Sequence, residues 1–413
     1  MDTAFLGRVG TAELAAFALA DTLFDALIVP VVGLAEAMQI VIGRRVGQRR
    51  EDAIGPTFLR GMLLILVVST MVAAVLHFGA PIISQTFSQT PMLADRMEHF
   101  LRIAAYGVVF FSLSLGYSAL YVGFARTVIL TAATILLTGT NFLLSYALIL
   151  GRLGQARLGI EGAAWAFVIA ELVTFIFLTV YTAAKKVVGR KQAVAVRAAT
   201  AAPAFGPLLR LSPPVALQAL LEALRWLAFF VIVEQVSEQA LAWSNVVYAY
   251  YLVLLIPSDA VGEGTHSLVS NLIGQGRTGE VVRLTGQATR ITYIITAPIA
   301  TLALLAPDRV VALFTDNPAA PAGAAPSLRA VAIIMMLVVP AEISLAAVAG
   351  TGATKGAFVV ELILSVALLT CAYIAAIPLA LSLPCVWISL GVAALVALVL
   401  SYRWLTGKQV KHV

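Results

Sequence analysis

The chain has 413 residues; 61% are apolar and 12% are charged, with 27 Lys and Arg against 21 Asp and Glu. Soluble domains carry about twice that share of charge, so a soluble globular fold, which could not hide this much apolar surface, and a disordered chain, which needs the opposite composition, are both excluded. What remains is a polytopic integral membrane protein, and its only two cysteines, Cys371 and Cys385, allow neither a disulfide framework nor a metal cluster.

In chain order the sequence opens on a short apolar stub at 1–7. Eleven apolar runs follow, near 15–43, 57–84, 99–123, 127–151, 160–184, 211–236, 241–273, 285–306, 327–350, 356–380 and 384–405. Each is long enough for a spanning helix, which needs about 20 residues. They are continuous rather than alternating with period two, so they read as helices and not as barrel strands. Asp2 follows no hydrophobic run, yet topological parity calls for an in-to-out helix ending before Arg8. The expectation is a first helix most of which is missing from this chain.

The connections alternate in charge. Arg44, Arg45, Arg49 and Arg50 follow the first run, and Arg126 and Lys355 sit in two tight turns. Lys185, Lys186, Arg190, Lys191 and Arg197 follow the fifth run, and Arg277, Arg283 and Arg290 lie between the seventh and the eighth. The tail holds Arg403, Lys408 and Lys411. The opposite connections are acidic or poor in charge, with Glu234, Glu238, Asp308, Asp316 and an uncharged 377–385. The positive-inside rule puts the basic side and both termini in the cytoplasm of a plasma (inner) membrane protein. These charges mark topology; scattered among short loops, they make no nucleic-acid patch.

The chain repeats itself at one constant offset. Pro30 falls on Pro257, Glu36 on Glu263, Gly47-Gln48 on Gly274-Gln275 and Gly123 on Gly350. An even number of spans keeps orientation, so the repeat is parallel, with a substrate site expected between the halves near mid-membrane. The halves are taken as an N-lobe at 1–187, a basic linker at 188–207 and a C-lobe at 208–413.

Several segments together resemble the multidrug and toxin extrusion (MATE) family. Asp2-Thr3-Ala4-Phe5-Leu6-Gly7-Arg8-Val9-Gly10 is similar to the end of its first helix. Val41–Gln48 and Val269–Gly276 resemble its turns after helices two and eight. Gly350–Lys355 resembles its glycine-rich turn between helices ten and eleven, and Asn141–Gly151 with Gly159–Ala164 its junction of helices five and six. The resemblance implies an all-α protein of two pseudo-symmetric six-helix lobes, twelve spans in full, and alternating-access antiport driven by Na⁺ or H⁺ with no other cofactor.

An ionisable side chain in mid-membrane costs about 2.5–3.5 kcal/mol on insertion scales, so the intramembrane acids are the candidate coupling groups. Asp2 matches the first-helix acid that the resemblance implicates in cation coupling. Glu36 and Glu263 each lie eleven residues before a helix-ending glycine, about 16 Å deep. His266, three residues on, can share the face of Glu263. Glu222 matches a position that often carries a carboxylate in the family, with Arg225 at i+3 to neutralise it. Glu342 follows Pro340, about one turn from where family members often place an acid. Asn141 matches the family motif, but Ser145 stands where an Asp is frequent, so the N-lobe lacks one acid. The expectation therefore rests coupling on Glu222, Glu263 and Glu342 of the C-lobe; Glu361 is taken as structural, and Glu171 is open to either role.

Asp21, Asp25 and Asp259 read as vestibule acids that attract cations. Asp25 and Asp259, with the aromatics Trp226 and Tyr250, are candidate substrate-lining groups for lipophilic cations. The leading expectation is a monomeric exporter of small organic, cationic or amphiphilic compounds, multidrug-like in range. The alternative is an exporter of a lipid-linked oligosaccharide or metabolite, for which buried Arg225 would serve phosphate. A membrane-embedded enzyme is disfavoured, because the four His are scattered and no nucleophile or metal motif is present.

Overall fold

The computed structural model describes residues 2–88, 90–152, 157–187, 205–314 and 320–407. The described residues are helical throughout, with no β-strand. The order is α1 (Asp2–Leu6), α2 (Thr11–Gly47), α3 (Glu51–Phe87), α4 (Pro91–Gly123), α5 (Val128–Leu150), α6 (Ile160–Ala184) and α7 (Gly206–Glu234). Then come α8 (Glu238–Gly274), a 3-10 turn (Thr278–Glu280), α9 (Val281–Leu305), α10 (Pro307–Val311), α11 (Ala320–Gly350), α12 (Thr354–Ala376) and α13 (Leu383–Thr406). Eleven of these are long and apolar enough to cross a membrane, one for each predicted run. Several outlast their runs. The 37 residues of α2 and of α8 span about 55 Å, well beyond a hydrocarbon core of about 30 Å. Apolarity marks the buried stretch only, while backbone hydrogen bonding carries each helix on to its cap.

The chain divides into two compact units, Met1–Ala216 and Leu217–Val413, the division falling within α7. In the first, α4 packs on α2, α3 and α6, α5 packs on α6, and α1 lies against α2 and α5. In the second, α11 packs on α8, α9 and α13, and α12 packs on α13. Each unit is thus organised around one central helix with an equivalent set of neighbours. The basic linker expected at 188–207 lies almost wholly outside the described residues, as do Arg190, Lys191, Arg197, Asp316, Lys408 and Lys411.

The repeat seen in sequence holds at the level of backbone. Thr11–Gly47 maps onto Glu238–Gly274 with no change of length. Gln48 N–H donates to the carbonyls of Arg44 and Val46; Gln275 N–H donates to those of Asn271 and Ile273, the same positions in the second unit. The next residue is left-handed in both, Arg49 at φ 57° and Gly276 at φ 74°. The equivalence extends to tertiary packing. A Cβ on Gly123 would lie 3.3 Å from Gln39 O, and one on Gly350 would lie 2.4 Å from His266 O. Gln39 and His266 are themselves related by the same offset as the two glycines. In each unit the last residue of the central helix is a glycine because the backbone of α2 or α8 passes where a side chain would stand.

Candidate functional site

In the first unit the stub α1 brings Asp2 to α5, where Ser145 Oγ donates to Asp2 Oδ1 at 2.6 Å. Ser145 is wholly buried. Asn141, one turn earlier on the same face of α5, is half-buried. Asp2 and Asp21 line one cavity of about 70 Å³ with Phe17, Phe24, Phe100 and Phe167. The rings are locked by mutual packing: Phe17 meets Phe100 at 5.4 Å and Phe24 meets Phe167 at 5.4 Å, both edge to face. Asp21 is within electrostatic reach of both Asp2 and Asp25, so three carboxylates from α1 and α2 share one field. Two acids among aromatic rings suit a small cation, and about 70 Å³ is room for an ion with its water, not for a drug-sized molecule. Asp21, placed by sequence in an outer vestibule, belongs to the same cavity as Asp2.

Glu36 is half-buried in α2, whereas Glu263, its counterpart in α8, is exposed. The two matched acids therefore occupy equivalent helix positions in unlike surroundings.

In the second unit Arg225 of α7 is buried and ion-paired with Glu361 of α12. Glu222, largely exposed, reaches the same guanidinium at 3.5 Å. The i+3 partner expected from sequence is thus the weaker contact, and the main one comes from a helix distant in sequence. Glu342 of α11 lies within electrostatic reach of Glu222, Glu361, Arg225 and Asp259. Asp259 in turn faces Glu222 and Glu263, and Glu263 faces His266. Three carboxylates, Glu361, Glu222 and Glu342, thus bear on one guanidinium already held by Glu361, and Asp259 joins the group through Glu222 and Glu342. They share a field, not a ligand cage: among the described residues no three His, Cys, Asp or Glu side chains are placed to hold one metal ion.

Trp226 and Tyr250 are built into the packing of this unit. Trp226 sits among Phe229, Tyr248, Tyr251 and Trp387, with ring centroids 4.6 Å from Tyr248 and 5.3 Å from Tyr251. Arg225 Cζ lies 6.0 Å from its ring centroid. Tyr250 is 4% exposed and donates its hydroxyl to Ile299 O at 2.5 Å. Both rings tie helices together, and the Tyr250 hydroxyl is already committed.

One constellation was not found from sequence. Glu13, buried at the start of α2, is ion-paired with Arg96 of α4 and accepts a hydrogen bond from Ile160 N–H, the first residue of α6, at 3.2 Å. It caps one helix while bonding another. The only signal was a lone acid at the edge of an apolar run.

The MatE family profile matches residues 1–147 and 214–374 of this chain. Similar proteins include the probable multidrug resistance protein NorM of Xanthomonas axonopodis pv. citri, 25% identical over 77% of this chain and 69% of its own length. The NorM protein of Thermotoga maritima is 20% identical over 77% of this chain and 68% of its own. Among solved structures, an outward-facing multidrug resistance MATE family transporter of the MOP superfamily aligns with a TM-score of 0.89. It is 18% identical, and the alignment covers 100% of this chain and 91% of that one. A MOP superfamily transporter from Pyrococcus furiosus aligns with a TM-score of 0.88 at 18% identity, covering 98% and 89%. At these identities the structures establish a shared all-helical fold.

Proposed function

The chain belongs to the MatE family of multidrug and toxin extrusion transporters, and on that premise we propose that it is a secondary antiporter exporting small organic cations or amphiphiles in exchange for Na⁺ or H⁺. The observation that carries this reading is the first unit's cavity, where Asp2, held by Ser145, and Asp21 stand among four phenylalanine rings. In the volume seen here the carboxylates can take the driving ion, and an organic cation reaches the same acids when the transport cycle opens the cavity to a drug-sized volume. Competition of the two for the same oxygen atoms is the simplest antiport. Asn141 supplies an amide on the Ser145 face, and Glu36, Glu222, Glu263 and Glu342 supply further acids. The basic loops favour a cytoplasmic location for both termini in the plasma membrane.

The reading as an exporter of phosphate-bearing lipid-linked sugars has less support, because the buried Arg225 that would serve it is engaged by Glu361. The test is the full chain in liposomes loaded with a fluorescent lipophilic cation, with Na⁺ and H⁺ gradients imposed separately. One gradient should drive cation movement, and Asp2→Asn should abolish that drive. Movement that ignores both gradients would overturn the antiport reading.

A further inference from the structure

A second, larger cavity of about 760 Å³ lies at the opposite end of the first unit's helices, away from the aromatic one. It is walled by Glu51 and Ile54 of α3, by Tyr121 and the turn Phe124–Thr127, and by the start of α5 at Val128 and Ile129. Tyr181 of α6 and Lys185, Lys186 and Val187 just beyond its end complete it. Its character is basic. Arg126, Lys185 and Lys186 stand against the single acid Glu51, and among the described residues no carboxylate is ion-paired with any of the three. Two lining residues are left-handed, Ala125 at φ 55° and Lys186 at φ 50°, so the chain turns sharply beside Arg126 and Lys185.

The floor is fixed. Tyr121 and Thr182 hydroxyls are hydrogen-bonded at 2.7 Å, and Thr182 Oγ1 also reaches Leu178 O at 2.6 Å. Since Thr182 donates to the carbonyl, Tyr121 donates to Thr182. The start of α5 adds backbone donors: Leu130 N–H is bonded to Thr127 O, but Thr127 makes no side-chain cap, and Val128 and Ile129, whose N–H groups precede the first helical acceptor, line the cavity.

We propose that this cavity binds the phosphate of an anionic phospholipid headgroup. Three cations with no ion-paired carboxylate among the described residues, together with a helix N-terminus, supply the charge and the donors that a phosphate diester needs. Basic pockets between transmembrane helices at the membrane surface are suited to such headgroups. The cavity also continues into apolar surface. From Val128 at its rim an uncovered stripe descends α5 through Ile135 and Phe142, 85%, 69% and 47% exposed at successive two-turn steps. That spacing keeps one face of a helix and gives acyl chains a track, which a free phosphate would not use. The assignment does not depend on what the protein transports.

Native mass spectrometry of the full chain, exchanged into matched amounts of phosphatidylglycerol and phosphatidylcholine, tests it. Wild type should retain phosphatidylglycerol selectively, and retention should weaken as salt rises, while phosphatidylcholine shows no such dependence. Each basic side chain near an anionic headgroup contributes about a fivefold factor, so the double variant Arg126→Gln/Lys185→Gln should lose roughly 25-fold in phosphatidylglycerol affinity. Lys355→Gln, in the first turn of α12, should be unchanged. Inorganic phosphate should compete only weakly. Equal retention by wild type and the double variant overturns the site. Phosphate binding as tight as that of the lipid overturns the headgroup assignment in favour of a free anion. Both variants replace exposed side chains, and the salt dependence of wild type provides a readout that needs no variant.

Discussion

Ser145 donates its hydroxyl hydrogen to Asp2 across 2.6 Å, linking the short α1 to the C-terminal part of α5. A family pattern with two acids here would set two carboxylates against each other; this chain has one carboxylate and a donor. The pair therefore separates two contributions that are usually mixed, the charge and its orientation.

Replacing Ser145 by Ala removes a hydrogen bond to a charged group, about 1.5–3 kcal/mol, and leaves the charge of Asp2 in place. Gradient-driven export should fall about tenfold at unchanged expression. Asp2→Asn keeps an oxygen to accept from Ser145 but loses the charge, and should fall to background. Export rates in proteoliposomes decide this; wild-type rates in Ser145→Ala would mean the contact only anchors α1.

The glycine at the end of each central helix makes a second prediction. Gly350→Ala places a Cβ 2.4 Å from the His266 carbonyl oxygen, against backbone that cannot rotate away. Overpacking of this kind costs about 1–3 kcal/mol. Gly123→Ala meets Ile42 Cγ2 at 2.9 Å and the Gln39 backbone O at 3.3 Å, a milder conflict that the Ile42 side chain relieves in part and a shift of the α2 backbone by a few tenths of an ångström must complete. Gly286→Ala meets nothing within 4 Å. Thermal melting in detergent should rank the variants Gly350→Ala below Gly123→Ala below Gly286→Ala, with Gly286→Ala no less stable than wild type.

Those glycines also show why part of the architecture was legible in sequence. Gly47-Gln48, Gly123 and their counterparts recur at one offset because backbone geometry at helix ends and crossings admits few residue types. Apolar length revealed the spans for a similar reason, since hydrocarbon thickness sets it. The acid network was not legible to the same degree. Nothing local pairs Arg225 with Glu361, Glu13 with Arg96, or Asp21 with the Asp2 cavity, because each joins segments apart in sequence. Equally, the match of Glu36 to Glu263 gave their positions along the helix but not their burial, which depends on what packs beside each.

The buried pair gives a third prediction. Arg225 and Glu361 are 6% and 4% exposed. Removing one partner strands the other as a buried charge, at about 3–5 kcal/mol. Glu361→Gln and Arg225→Met should each lower yield and melting temperature, and the double variant Arg225→Met/Glu361→Leu should recover most of the loss. A double variant as unstable as the worse single one would show that the two side chains do not act as a pair. Glu361 is consequently unsuited as a neutral control for coupling experiments, despite its structural role.

The last prediction concerns which acid of the second unit takes part in coupling. Glu361, Glu222 and Glu342 bear on Arg225, and Glu361 already holds it; Asp259 reaches Glu222 and Glu342 but not the guanidinium, so the field of these acids is only partly offset. Such an imbalance in a low-dielectric region attracts one cation or proton. Glu342 is the half-buried member that faces all the others, while Glu263 is exposed and faces Asp259 and His266. Glu342→Gln removes one negative charge at nearly constant shape, and a neutral amide is cheaper than a carboxylate in hydrocarbon, so folding should be preserved. Gradient-driven export should drop at least about tenfold in Glu342→Gln and by a smaller factor in Glu263→Gln, at matched expression and melting temperature. If Glu263→Gln is the more damaging, the exposed acid is where the ion enters and Glu342 is a bystander. If neither variant affects export while Asp2→Asn abolishes it, coupling resides wholly in the first unit.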